Sequence, residues 1–252
     1  MKNLKNYLRN ATMEHKLDLV CYLSNGYPNA EATLENAEVY IKGGCDVIEI
    51  DLPTDNPYID GEKLQKRMIA SYKSDPTLQS HIETFSRLRK KYLNQRFIIL
   101  AYEKTIVQIG IERFISVYKE NEIEALILVG NKDDQIKNEL MENNVSVVSY
   151  VEKSLTKKAI ENANSSNSFI YLQAKSEEKK YLDDLKSTIE KLKNEIDNEK
   201  KVYCGVGIAS AKDIGKVKVS GANGVFVGSA VFTKESDKQL MENFIAKLKQ
   251  NT

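Results

Sequence analysis

The chain is 252 residues long, enough to bury a large core without disulfides or metals. Its 37 basic and 36 acidic side chains leave a formal net charge of +1, which gives no electrostatic footprint for nucleic acid or an anionic membrane. Three scattered cysteines (Cys21, Cys45, Cys204) and two histidines (His15, His81) show no metal-ligand spacing, so a reducing compartment is expected and a conventional zinc site is not.

In chain order, the opening MKNLKNYLRNATMEHK is polar and lacks the apolar core of a signal peptide. No later apolar run approaches the roughly 18 to 20 residues of a membrane span. The expectation is a soluble, cytoplasmic protein. Runs rich in β-branched residues predict strands at 17–24 (LDLVCYLS), 46–52 (DVIEIDL), 96–102 (RFIILAY) and 125–130 (ALILVG). Four more follow at 145–151 (VSVVSYV), 169–174 (FIYLQA), 201–207 (KVYCGVG) and 224–229 (GVFVGS). Helical spacing fills the gaps. Residues 31–43 put Ala32, Leu34, Ala37, Tyr40 and Ile41 on one stripe, and 178–197 do the same with Leu182, Leu185, Ile189, Leu192 and Ile196. Residues 53–62 form a loop rich in Pro, Asp and Asn, and 74–95 add a helix before the third strand.

Eight strands, each followed by a helix, imply a parallel sheet. Eight such units close most naturally into a (β/α)8 TIM barrel of the α/β class, with a doubly wound open sheet as the alternative. No linker or composition break divides residues 1–252, so a single domain is expected. In a barrel, functional groups sit at the C-terminal ends of the strands and in the loops that follow.

Alternation along the second strand sends Ile48, Ile50 and Leu52 toward the helices and Val47, Glu49 and Asp51 into the barrel. An inward glutamate is costly unless it is paired or neutral, so Glu49 is either a salt-bridged core residue or a functional acid. The next loop, PTDNPYIDGEKLQ, offers Asp55 and Asp60. Asp60 before Gly61 fits a helix cap or turn, and equally a carboxylate facing Glu49 for acid–base work. The seventh strand ends in CGVGIAS and the eighth in GVFVGSAVF. Glycines at these two ends, with Ser229 after Gly228, suit backbone binding of a phosphate, although Gly221 and the others also serve tight turns.

The segment DVIEIDLPTDNPYIDGEKLQ resembles the glutamate strand and aspartate loop of the tryptophan synthase alpha chain family, of the form E-[LI]-G-[VIL]-P-F-S-D-P-x-A-D-G-P-x-[IL]-Q. Glu49, Pro53, Pro57, Asp60, Gly61 and Gln65 match that pattern. NGYP at 25–28, LAYEKTIVQIGIERF at 100–114, CGVGIAS and GVFVGSA resemble further family segments in the same order. The resemblance implies retro-aldol cleavage of indole-3-glycerol phosphate to indole and glyceraldehyde 3-phosphate, with no cofactor. It casts Glu49 and Asp60 as the catalytic pair, and Gly207, Gly228 and Ser229 as the phosphate seat. Tyr22, Leu100, Tyr102 and Ile127, near strand ends, would line the indole pocket, although core packing explains any one of them as well. It also implies a tryptophan synthase beta chain as partner, in an alpha2beta2 assembly.

The chain departs from the family pattern at several points. Asp51 stands where the pattern has glycine, and Asn56 where it has an acid. GNKDDQ follows the fourth strand in place of DLPxEE. After the sixth strand LQAKSEEKKYLDDL replaces a glycine-rich mobile loop, and Lys175 and Ser176 there read first as a solvated, charged helix start and second as substitutes at the phosphate. Poorer exclusion of water and slower turnover are expected from that change. Three readings therefore stay open: an alpha-type lyase paired with a beta chain, a barrel enzyme acting alone or on a related substrate, and a barrel that has lost catalysis and serves as a binding or regulatory subunit.

Overall fold

The computed structural model describes residues 16–130, 134–174, 182, 184–197, 199–205 and 207–252. His15, Lys175, Ser176 and part of GNKDDQ lie outside the described residues, as does most of the replaced loop after the sixth strand. Eight parallel strands form one sheet: β1 (Asp18–Leu23), β2 (Val47–Leu52), β3 (Arg96–Tyr102), β4 (Ala125–Val129), β5 (Ser149–Val151), β6 (Ile170–Gln173), β7 (Val202–Gly205) and β8 (Gly224–Val227). Their order is β4-β3-β2-β1-β8-β7-β6-β5. The two ends meet where Leu126 donates to the Ser146 carbonyl at 2.8 Å and accepts from the Val148 N–H at 2.9 Å. That contact closes the barrel and excludes the open doubly wound sheet.

β5 is shorter than the 145–151 run suggests. Val147 gives its N–H to the Asn167 side chain at 2.9 Å, and its carbonyl accepts from the Ser166 hydroxyl at 2.7 Å. Two side chains thus take the place of strand partners on that side.

The connecting helices are α1 (Ala30–Lys42), α2 (Glu62–Ser74), α3 (Gln79–Lys91), α4 (Glu103–Ile109), α5 (Ile111–Glu120), α6 (Gln135–Glu142), α7 (Lys157–Ser165), α8 (Leu185–Glu195), α9 (Ala211–Val219), α10 (Ser229–Phe232) and α11 (Lys238–Lys249). Local chemistry sets their starts. Asn29 caps α1 by accepting the Ala32 N–H at 2.9 Å, and Ser210 caps α9 through the Asp213 N–H. The expected stripe of α1 packs into the core through Ala37 and Tyr40, with Leu34 and Ile41 at its edge, and Thr33 and Asn36 join its buried face. Thr33 turns inward because its hydroxyl accepts the Gly26 N–H at 2.8 Å and donates to the Ser24 carbonyl at 3.1 Å, pinning the loop after β1. None of the described helices is long and apolar enough to cross a membrane.

Alternation sorts the strands as expected. Ile48, Ile50 and Leu52 pack with Leu19, Cys21 and Leu23 in the layer between sheet and helices. Val20, Val47, Ile98, Ala125, Val148, Tyr203 and Phe226 fill the barrel. Large rings do most of the filling: Phe169 and Tyr203 have centroids 4.5 Å apart, and Tyr171 and Phe226 4.7 Å. Glycine makes room for them. A Cβ at Gly205 would overlap the Tyr171 hydroxyl, and one at Gly224 the Tyr203 ring. Gly205 therefore serves the interior rather than the anion seat that CGVG suggested.

Candidate active site

The C-terminal mouth of the barrel holds a cavity of about 570 Å³. Its walls include Tyr22 from β1, Glu49 from β2, Asp60 and Gly61 from the following loop, and Leu64 from α2. Leu100 of β3, Tyr171 of β6, Phe226 of β8 and Phe232 of α10 supply the apolar surface. Gly207, Ile208, Ala209, Gly228 and Ser229 complete the far side.

Glu49 sits in the middle of β2, in register with Tyr22 on one side and Ile98 on the other. It points inward and is 7% exposed. Burial, followed by the charges of Asp60 and Asp51, pushes its carboxyl up to about 8. Desolvation penalises the anion, and two neighbouring acids add to the penalty. Among the described residues the salt-bridged alternative for Glu49 finds no support, because neither the ion pairs nor the charges acting on it include a cation. Around neutral pH these surroundings favour the protonated form of Glu49.

Asp60 is held differently. Its Oδ2 accepts the Tyr102 hydroxyl at 2.5 Å, and its backbone carbonyl accepts the Gln65 side chain at 2.7 Å. Burial raises its carboxyl and the Tyr102 hydrogen bond opposes the rise. Asp60 does not cap α2: the cap position is Gly61, which has no side chain to offer, and the Asp60 carboxylate turns to the cavity instead. The loop is braced from outside by Lys104, which pairs with Asp55, and by the Thr105 hydroxyl on the Pro53 carbonyl at 3.4 Å.

At the opposite side, Gly207 adopts φ +78°, a left-handed turn that glycine enters freely. Gly228 precedes α10, whose four residues are too few for an appreciable dipole. Any anion held there would rely on the backbone N–H groups of the helix start and on the Ser229 hydroxyl. Gly221 only closes the turn after α9, with φ +83°.

The structure thus brings Glu49, Asp60, Tyr22, Leu100, Gly207, Gly228 and Ser229 around one space. Two expected pocket residues stand behind the wall. Tyr102 reaches the cavity only through Asp60, and Ile127 is shared between the barrel interior and the cluster of Met68, Leu100 and Tyr102. The sequence reading missed Tyr171, Phe226 and Phe232. The first two carry a readable signal: in FIYLQA and GVFVG they occupy inward positions of the alternation, and Gly224 and Gly228 flank Phe226 on its own face. Phe232 carries none, because α10 is a single turn.

Fold and cavity together define a (β/α)8 barrel with paired acids at the C-terminal mouth, the face on which barrel enzymes carry their chemistry. The family model for the tryptophan synthase alpha chain matches residues 8–252, and the chain belongs to that family. A tryptophan synthase alpha chain from Aquifex aeolicus is 28% identical over 246 residues, covering 92% of each chain. The tryptophan synthase subunit alpha of Legionella pneumophila superposes with a TM-score of 0.81 at 20% identity, covering 99% of this chain and 96% of that one. A chain of the tryptophan synthase complex from Pyrococcus furiosus gives 0.78 at 19% identity, over 92% and 97%. At these identities the two solved structures speak for the shared fold. Membership places the chain among lyases of tryptophan biosynthesis.

Proposed function

We propose that the chain cleaves indole-3-glycerol phosphate to indole and glyceraldehyde 3-phosphate. The observation that carries this reading is the contrast between two acids on one cavity: Glu49, buried beside other acids that favour its protonated form, and Asp60, whose anion is supported by the Tyr102 hydroxyl. Glu49 donates its proton to C3 of the indole ring, which turns the ring into a leaving group. The resulting Glu49 carboxylate accepts the proton of the glycerol hydroxyl whose oxygen becomes the aldehyde. Asp60 stabilises the indole N–H as positive charge develops on the ring. Tyr22, Leu100, Tyr171 and Phe226 supply apolar surface for the ring, and Gly207, Gly228 and Ser229 supply donors for the phosphate. The scheme needs no cofactor.

A beta chain is the proposed partner, in the cytoplasm, in keeping with the Pyrococcus complex. Tyr58 and Ile59, 56% and 62% exposed beside Asp60, give the loop an apolar outer surface that such a partner would cover.

The test is release of indole from indole-3-glycerol phosphate by the purified chain, alone and with added beta chain. Release, stimulated by the beta chain, is expected. No release under either condition overturns the reading and leaves the non-catalytic alternative.

A further inference from the structure

The cleavage scheme makes no use of the second acid on β2. Asp51 lies two residues beyond Glu49 on the same inward face, so their Cα atoms stand roughly 6 to 7 Å apart along the strand. Asp51 is 1% exposed and does not line the cavity. Its Oδ1 accepts the Asn25 N–H at 2.7 Å. Its Oδ2, the Tyr22 hydroxyl, the Ser24 hydroxyl and the Asn25 side-chain oxygen are all buried without an aligned hydrogen-bond partner among the described residues. These atoms gather at the ends of β1 and β2, immediately beyond Glu49.

The charges acting on Glu49 come from Asp60 on the loop and Asp51 on its own strand. The ionisable side chains that feel Glu49 from elsewhere are Tyr22 and Cys21 of β1 and Tyr171 of β6. β3 presents only Ile98 and Leu100 to the pair. Lys63 stands on the cavity wall beside Asp60 without entering the balance at Glu49. Two buried acids this close do not ionise over the same pH range, because the first to lose its proton holds the proton of the other. The partners decide the order. Asp51 has a backbone N–H on one oxygen and the Tyr22 hydroxyl near it, and both favour its anion. Glu49 has neither. Burial still pushes Asp51 up to about 7, below Glu49 at about 8.

We propose that Asp51 is a positioning residue: fixed on the Asn25 N–H as the anion of the pair, it keeps the proton on Glu49, so that Glu49 meets the substrate as an acid. The consequence for cleavage rests on the function proposed above; the coupling between the two carboxyls does not.

Asp51→Asn removes the charge and keeps an acceptor for Asn25. Carbon-13 NMR of side-chain carboxyls in glutamate-labelled protein, with the Glu49 signal assigned by its loss in Glu49→Gln, reads the coupling without substrate. The Glu49 titration is expected to fall by about one pH unit in the variant. In the cleavage assay the alkaline limb of kcat/KM moves down by the same amount, while the plateau at lower pH stays within about threefold. An unchanged Glu49 titration overturns the proposal whether or not the chain cleaves indole-3-glycerol phosphate. So does a loss of activity that is uniform across pH, the mark of a merely structural role. A shifted titration in a protein with no cleavage activity keeps the coupling and removes the function. Should Asp51→Asn fail to fold, Asp51→Gly gives the same readout.

Discussion

The barrel places carboxylates at both ends and treats them oppositely. At the N-terminal end Asp18 of β1 accepts Arg96 at 2.8 Å and the Tyr203 hydroxyl at 2.5 Å, and Arg96 also grips Glu124 at 2.6 Å. Burial would raise the Asp18 carboxyl, but the Tyr203 and Arg96 hydrogen bonds outweigh it and hold the group below its ordinary value. At the C-terminal end Glu49 and Asp51 of the neighbouring strand meet each other and Asp60, with no cation from the described residues among the charges acting on Glu49, and their carboxyls rise. An inward acid on a barrel strand is therefore not by itself a sign of chemistry. The missing counter-charge is, because an unpaired buried acid lowers stability and persists where its proton is used.

The strongest test of that contrast is Glu49→Gln. Cleavage should fall by roughly two orders of magnitude or more, while the fold gains stability at alkaline pH. The sign follows from the raised carboxyl. The folded state holds the Glu49 proton up to about 8, whereas the unfolded chain releases it near the ordinary value of 4.5. Between those values the native state binds more protons, so stability is highest below the window and declines as pH rises through it. Asp51 acts in the same direction up to about 7. Thermal melts at pH 5 and pH 8 should show a smaller loss for Glu49→Gln than for the native protein. Equal losses would mean that Glu49 carries no unpaired charge.

Much of this contrast was legible in the sequence. DVIEIDL alternates cleanly enough to place Glu49 and Asp51 inward, and RFIILAY gave β3 to the residue, because a turn precedes it and a helix start follows it at once. What the sequence left open is non-local. Asp60 before Gly61 reads equally well as a helix cap, and only Tyr102, 42 positions away, decides otherwise. Tyr102 and Ile127 lie near the ends of their strands as expected, yet their depth behind the wall depends on how Leu100 and Met68 pack. The salt bridge under the barrel joins β1 and β3, the Tyr203 hydroxyl ties β7 to it, and no spacing in the chain announces either.

Asp60 should behave as the working anion of the mouth. Asp60→Asn is expected to lower cleavage by about two orders of magnitude, since an amide cannot support positive charge on the ring. Tyr102→Phe leaves the carboxylate in place and removes only its hydrogen bond, so a smaller loss, about tenfold, is expected in kcat/KM. The acidic limb of the pH profile should also move upward in that variant, because the hydroxyl opposes the rise caused by burial. A Tyr102→Phe enzyme as impaired as Asp60→Asn would show that the tyrosine does more than hold the acid.

The smallest effect is expected at the other end. Arg96→Met removes the cation beneath the barrel and keeps an apolar stem of similar length. Its side chain and that of Asp18 are 36% and 21% exposed, so water screens part of the loss, and a destabilisation of about 1 to 2 kcal/mol is expected from the urea midpoint. Asp18 then titrates upward, so the deficit should be small below its ordinary value and grow as the carboxylate ionises without its partner. Cleavage and its pH profile should stay as in the native chain, because no Arg96 atom lines the cavity and the interior rings of Phe226 and Tyr171 lie between the two ends. If Arg96→Met instead shifts the alkaline limb set by Glu49, the two ends share one electrostatic balance and cannot be divided into a structural and a chemical half.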